Sequence, residues 1–172
     1  MRRPPRRSDR AHSMRARLMC IAVSAMALLA VPLPAVDFVD LATFPRTSVE
    51  IRAATGAHRF DVWLADTPTR QAQGLMFVRE LPADAGMLFV TDDLREMSMW
   101  MKNTHIPLDM VFIDERGRIV RIAAETTPHS LETVSSGARV KAVLELRGGE
   151  AERRGIRVGD SVVHAAFTRK AA

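Results

Sequence analysis

Apolar and polar positions alternate from Ser48 to Ala53, with Val49 and Ile51 on one face. They alternate again from Arg59 to Ala65, where Phe60, Val62 and Leu64 share a face. Thr55-Gly56 between the two runs is a turn, so together they predict a hairpin. Asp66-Thr67-Pro68 predicts the start of a short helix, because an oxygen-bearing cap precedes a proline suited to the first turn. Ala72, Leu75 and Met76 follow at helical spacing, and the helix should end before Pro82. Met87-Leu88-Phe89-Val90 is a short continuous apolar run that predicts a buried strand. Asp92-Asp93 predicts a turn. Met97 to Met101 alternates, and Leu108 to Ile113 follows a loop that ends at Pro107. Asp114-Glu115-Arg116-Gly117 joins that run to residues 118–123 as a second hairpin. Residues 125–137, with Pro128, read as a polar loop. Val140, Ala142, Leu144 and Leu146 then alternate with Lys141, Val143, Glu145 and Arg147, which predicts a half-buried strand with Glu145 on its solvent face. Gly148-Gly149 precedes a single helical turn that Gly155 can end, and residues 161–168 predict a last strand.

Seven or eight short strands and two short helices place the chain in the α+β class. Connections this short favour antiparallel pairing. The expected architecture is therefore a mainly antiparallel β-sheet, as a compact sandwich or partly open barrel. It forms one β-rich globular domain over residues 48–168. Residues 36–47 lack a clear period and hold Pro45, so they read as a tether.

The first 35 residues change the picture of charge and place. The whole chain has 172 residues, a formal charge of +5 and a sequence pI near 10.5. Seven Arg and one Asp fall in residues 1–35, a net of +6, which leaves residues 36–172 at −1. The basic balance belongs to the leader, so the body lacks the positive field of a nucleic-acid binder. An arginine-rich front, an apolar run from Leu18 to Val31 and Pro32-Leu33-Pro34-Ala35 describe a signal peptide, with cleavage after Ala35. Met14 is an alternative start. The apolar run is short for a membrane span, which needs about 20 residues. Contact with a membrane is therefore expected only through the leader, if it stays uncleaved. The expected location is periplasmic or extracellular. Cys20, the one cysteine, lies in the leader, so the body has no disulfide, thiol nucleophile or cysteine metal site.

Trp100-Met101-Lys102-Asn103-Thr104-His105-Ile106-Pro107-Leu108-Asp109 is the densest polar and aromatic segment. Trp100 could stack on a flat or sugar-like ligand while Lys102 and Asn103 orient it. Thr104 and Asp109 complete the candidate ligand-binding set. Alternatively, Asp109 and Asn103 satisfy backbone groups in a tight turn. No G-x-S-x-G, H-E-x-x-H, G-x-G-x-x-G or phosphate-loop pattern occurs, so no cofactor and no metal site is expected. Asp109 with Glu145 could form an acid/base pair if their strands adjoin. Met97, Met99 and Met101 face one way at strand period, and with His105 they offer a soft site for Cu(I). The other reading makes these methionines core filler.

Gly74-Leu75-Met76-Phe77 with Arg79, Gly86-Met87-Leu88-Phe89, Trp100-Met101-Lys102-Asn103-Thr104, Ile106-Pro107-Leu108-Asp109 and Phe112-Ile113-Asp114 occur in order. Val143-Leu144-Glu145-Leu146 and Gly155-Ile156-Arg157-Val158-Gly159-Asp160 follow. Over residues 48–167 this series resembles the bacterial and archaeal family known as domain of unknown function 192. The resemblance implies a compact β-rich domain with short helices, exported or membrane-anchored, and it brings no assigned activity. Family members usually carry a small residue and an aromatic before the Trp. Met97-Ser98-Met99 stands there instead, so a role for these methionines would be particular to this chain. The leading expectation is a non-catalytic binding or accessory module of the cell envelope, acting on a small ligand or envelope partner through the Trp100–Asp109 surface, with no nucleic-acid partner. The alternatives are an enzyme using Asp109 and Glu145, and a Cu(I) carrier using the methionine row.

Overall fold

The computed structural model describes residues 40–168. The expected leader over 1–35, with Cys20, and the first residues of the tether lie outside them. Seven strands form one sheet: β1 (Arg46–Ala53), β2 (Gly56–Ala65), β3 (Ala85–Met99), β4 (Leu108–Ile113), β5 (Ile119–Thr126), β6 (Val134–Arg147) and β7 (Ser161–Val163). Their order across the sheet is β5-β4-β6-β3-β2-β1-β7. Every neighbouring pair is antiparallel except β2 with β3. The connection from Ala65 to Ala85 is long enough for that parallel crossover, and it carries helix α1 (Pro68–Gln73). A second helix, α2 (Glu150–Arg153), follows β6. The α+β class and the mainly antiparallel sheet are as expected.

The sheet curls until its edges touch. The Gly117 carbonyl accepts the Val162 amide at 2.6 Å, and the Ile119 amide donates to the Asp160 carbonyl at 2.9 Å. Arg118 pairs with Ser161 across the same seam. Strand alternation then sends apolar side chains to two faces. One core cluster draws on all seven strands, including Ile51, Phe60, Leu88, Val111, Leu144 and Val162, and fills the partly open barrel. The other face carries Met87, Phe89, Met110, Phe112 and Val143, packed with Phe44, Leu75 and Leu81 from outside the sheet.

Several local expectations shift. Asp92-Asp93 does not break the chain. β3 runs through it, and a register shift against β6 between Val90 and Arg95 absorbs the polar pair. The Thr91 hydroxyl contributes by donating to the Lys141 carbonyl at 3.1 Å. The loop over 125–137 is shorter than expected, since β6 begins at Val134. The last strand stops at Val163, because His164 Nδ1 accepts the Ala166 amide and caps a 3-10 turn at Ala165–Phe167. Part of the tether is packed: Phe44 belongs to the second core cluster. The largest difference is in β6, which is buried on both faces from Ala142 to Leu146.

At the start of β4 one carboxylate ties the β5 bulge and the start of α2 to its own strand. Asp109 is fully buried. Its Oδ1 accepts the Glu125 amide at 2.8 Å and the Gly149 amide at 3.0 Å, and its Oδ2 accepts the Ala151 amide at 2.8 Å. Glu125 has φ +47° where the β4–β5 register slips, so Asp109 supplies the partner that the bulge takes from the ladder. Gly149 and Ala151 belong to the start of α2.

Next to this clamp, Glu150 is buried and receives hydrogen bonds from Arg147, Arg153 and Arg154. Burial by itself would push its carboxyl up, but the bonds from Arg153, Arg147 and Arg154 outweigh that and bring it down to about 2.

Two outcomes are expected. Asp109→Ala strands three amides in an apolar surround and should cost about 3 kcal/mol or more in urea melts, whereas Lys102→Ala should stay within about ±0.5 kcal/mol. For Glu150 the folded carboxyl lies below its unfolded value of 4.5. The folded state therefore gains from ionisation above that value and loses the gain as pH falls from there toward about 2. Glu150→Gln should flatten stability across that acid window. An unchanged acid slope would contradict the assignment.

Candidate functional site

The segment after α1 and the segment after β3 meet over the outer face of the sheet. Thr67 caps α1 and Pro68 opens it, as the sequence predicts, and Gly74 ends it at φ +53°. A Cβ at Gly74 would stand 3.2 Å from the Phe89 ring, so glycine serves both the turn and the close approach. The chain then bends through Phe77, whose amide donates to the Asn103 carbonyl at 2.8 Å. From the other side, the Met101 amide donates to the Ser130 carbonyl and the His129 amide donates to the Thr104 carbonyl, both at 3.1 Å. Residues 100–104 are thus held between two neighbouring segments. Within them Met101 and Thr104 turn inward and are buried, while Trp100, 46% exposed, faces out.

These two segments and the sheet enclose a cleft of about 80 Å³. Its walls include Gln71, Gly74, Leu75 and Met76 on one side and Met99, Trp100, Lys102 and Thr104 on the other, over Phe89 and Glu145. The sequence-predicted residues separate here. Trp100, Lys102 and Thr104 line the cleft. Asn103 stands behind it in a left-handed turn, φ +56°, with Nδ2 directed at Met76 Sδ. Asp109 does not line the cleft, and its carboxylate is taken up by the clamp. Asp109 and Glu145 are therefore not brought together in one cavity.

Glu145 is the residue whose place the sequence pattern misjudged. Expected on a solvent face, it is only 4% exposed. β6 sits between β3 and β4, and Glu145 pairs in register with Met87 on one side and Met110 on the other. Gly86, beside Met87, lets β3 come close, since a Cβ there would stand 2.4 Å from the Glu145 carbonyl oxygen. Among the described residues no group forms a hydrogen bond or ion pair with the Glu145 carboxyl, and burial pushes it up to about 8. It is a neutral acid at pH 7, lying against a cleft.

The methionine row is divided. Met97 and Met101 are buried in the core, Met101 Sδ accepts the Thr126 hydroxyl at 3.1 Å, and Met99 lines the cleft. His105 lies 3.2 Å from His129 and outside the cleft lining. Among the described residues no cluster of three His, Asp, Glu or Cys side chains is placed to hold a metal. A larger depression, about 810 Å³, lies near Asp92, Glu115, Arg116 and Lys141, but its charged side chains are mostly solvent-exposed.

The family model DUF192, described as an uncharacterised ACR, matches residues 49–164. No curated protein matches the chain. Two solved structures are similar. One, from Sinorhizobium meliloti 1021 and provisionally called a transcription regulator, is 40% identical over 72% of this chain and 96% of its own, with a TM-score of 0.69. The other, a protein of unknown function from Novosphingobium aromaticivorans DSM 12444, is 38% identical over 69% of this chain and 85% of its own, with a TM-score of 0.68.

A buried acid that keeps its proton makes folding less favourable as pH rises. The unfolded Glu145 ionises near 4.5 and the folded one near 8, so stability should fall steadily between those values. Glu145→Gln removes the penalty. It is expected to be more stable than the native chain by about 1–3 kcal/mol at pH 7 and nearly equal at pH 4. A less stable Glu145→Gln at pH 7, measured by urea melts, would show that the carboxyl is a structural partner instead.

Proposed function

The chain belongs to the DUF192 family, a family of unknown function, and from that premise we propose that it is an exported binding module that takes a small ligand into the Glu145 cleft. One observation carries this reading: a carboxyl 4% exposed, without a hydrogen-bond partner among the described residues, lines a cleft beside an exposed Trp. Such a group costs stability, and a binding site is where proteins tolerate that cost. Trp100 supplies a ring face at the rim, Lys102 a movable charge, and Thr104 a hydroxyl.

Binding is favoured over catalysis because, among the described residues, Glu145 is the only carboxylate lining the cleft. Two-carboxylate acid/base chemistry needs a second one, and Asp109 is held by three backbone amides. The name given to the Sinorhizobium protein does not extend to this chain in our reading. Residues 36–172 carry a net charge of −1, and the helices among the described residues have six and four residues. Neither feature suits groove binding by a basic helix. The placement outside the cytoplasm rests on the order of charged, apolar and small residues in 1–35.

Two measurements test the proposal. In a library screen by amide chemical shifts, compounds that bind should move Gly74–Met76, Met99–Thr104 and Glu145, and Trp100→Ala should weaken them at least about tenfold. Hits that cluster elsewhere, or that ignore Trp100→Ala, would contradict it. Mass analysis of the protein from its own cells should find a chain beginning near Val36 outside the cytoplasm. A full-length cytoplasmic product would contradict export.

A further inference from the structure

The groups around the cleft are unequal in what they offer a ligand. Both protons of the Gln71 amide are spent, since its Nε2 donates to the Ala65 carbonyl at 3.2 Å and to the Val90 carbonyl at 2.8 Å. What Gln71 has left is its oxygen. The Thr104 hydroxyl donates to the Lys102 carbonyl at 3.3 Å and keeps its lone pairs. Met76 and Met99 add thioether sulfurs, and Phe89 and Trp100 add ring faces, which carry partial negative charge. Glu145 adds a carboxyl that forms no ion pair among the described residues. The lining thus sets acceptors at Gln71, Thr104 and Glu145 beside donors at Ser98 and Lys102, and among the described residues the buried Glu145 carboxyl is paired with no cation.

Among the described residues Lys102 is the only cation at the cleft, and it does not pair with Glu145. Its Nζ lies over the Trp100 ring, 5.1 Å from the centroid, which shows that this rim already accepts an ammonium. The space, about 80 Å³, is well below the roughly 300–1,000 Å³ of a typical small-molecule pocket, so it suits the head of a ligand with the remainder outside.

We propose that the cleft over Glu145 receives an alkylammonium group, whose charge pairs with the Glu145 carboxylate while its stem leaves past Trp100. The inference rests on the ligand-site reading above and names the chemistry of what binds. An ammonium brings three donors to the Gln71, Thr104 and Glu145 oxygens and a counterion for the Glu145 carboxylate. Because the empty site holds a proton on Glu145, binding at neutral pH transfers that proton from the carboxyl to solvent or buffer. Among the described cleft residues the ionisable side chains are Glu145 and Lys102; the α1 and β3 walls contribute none. The Lys102 ammonium repels the incoming group.

The experiment titrates the full chain with n-butylammonium, with Nα-acetyl-lysine amide, and with butyrate as the opposite charge. Calorimetry in buffers of different ionisation enthalpy reads proton release. Butylammonium affinity should rise about tenfold per pH unit from pH 6 toward 8 and then level, with nearly one proton released at pH 7. Glu145→Gln should weaken it at least tenfold, and Lys102→Gln, which removes a like charge from the rim, should tighten it. A lysine derivative bound at least tenfold more tightly than butylammonium would identify the source as a polypeptide side chain, and equal affinities a free amine. Butyrate binding that weakens with rising pH and with Lys102→Gln would overturn the ammonium assignment but keep the site. No butylammonium binding, or binding indifferent to Glu145→Gln, would overturn the assignment outright. The shift-mapped library screen then decides separately whether the cleft binds anything.

Discussion

The carboxylate of Asp109 fixes the geometry on which the rest depends. Two backbone segments that share no ladder with each other, the β5 bulge at Glu125 and the corner at Gly149 and Ala151, are joined by its two oxygens. An unpaired amide in such a surround costs 1–3 kcal/mol, so the clamp is worth more than any single surface contact. It also settles where β4 begins. The Gly148 amide donates to the Pro107 carbonyl at 2.9 Å beside it. That pins the exit of the segment running from Trp100 to Pro107. With that exit fixed, the bonds to Phe77, Ser130 and His129 lay residues 100–104 across the sheet and create the cleft beneath them.

Glu145 breaks the rule that the remainder of the interior obeys. The other buried carboxylates have partners: Asp109 has amides, and Glu150 has three guanidinium groups. Glu145 sits between two methionines in register and has only the cleft. Local consistency across propensity, packing and polar satisfaction is what makes a sequence fold, and isolated violations concentrate where function is performed. The walls point the same way, since the turn at Gly74 and the close approach at Gly86 both shape the space around this one side chain.

Legibility in the sequence followed the range of the forces involved. The β1–β2 hairpin, the Thr67-Pro68 start of α1 and the helical turn after Gly149 were readable because their signals are local. Asp109 was readable as an acceptor of turn donors, since a carboxylate between Leu108 and Met110 has few other uses. The run through Asp92-Asp93 was not, because a bulge let the polar pair stay within a strand. Glu145 was missed because alternation reveals which residues share a face, not whether something covers that face. The missing layer comes from residues 74–104, distant in sequence. One signal was present. Ala142-Val143-Leu144-Glu145-Leu146 is apolar on both faces save for the acid, the pattern of a strand buried on both sides.

The protonation state of Glu145 bears most directly on the account. Carbon-13 labelling of the glutamate carboxyls allows its side chain to be followed by NMR across pH, in the native chain and against Glu145→Gln for assignment. The account predicts one glutamate signal, absent from the variant, that stays protonated at pH 7 and titrates near 8. A Glu145 signal already ionised at pH 6 would mean that the carboxyl has a partner or open water, and the cleft would lose the feature that marks it as a binding site.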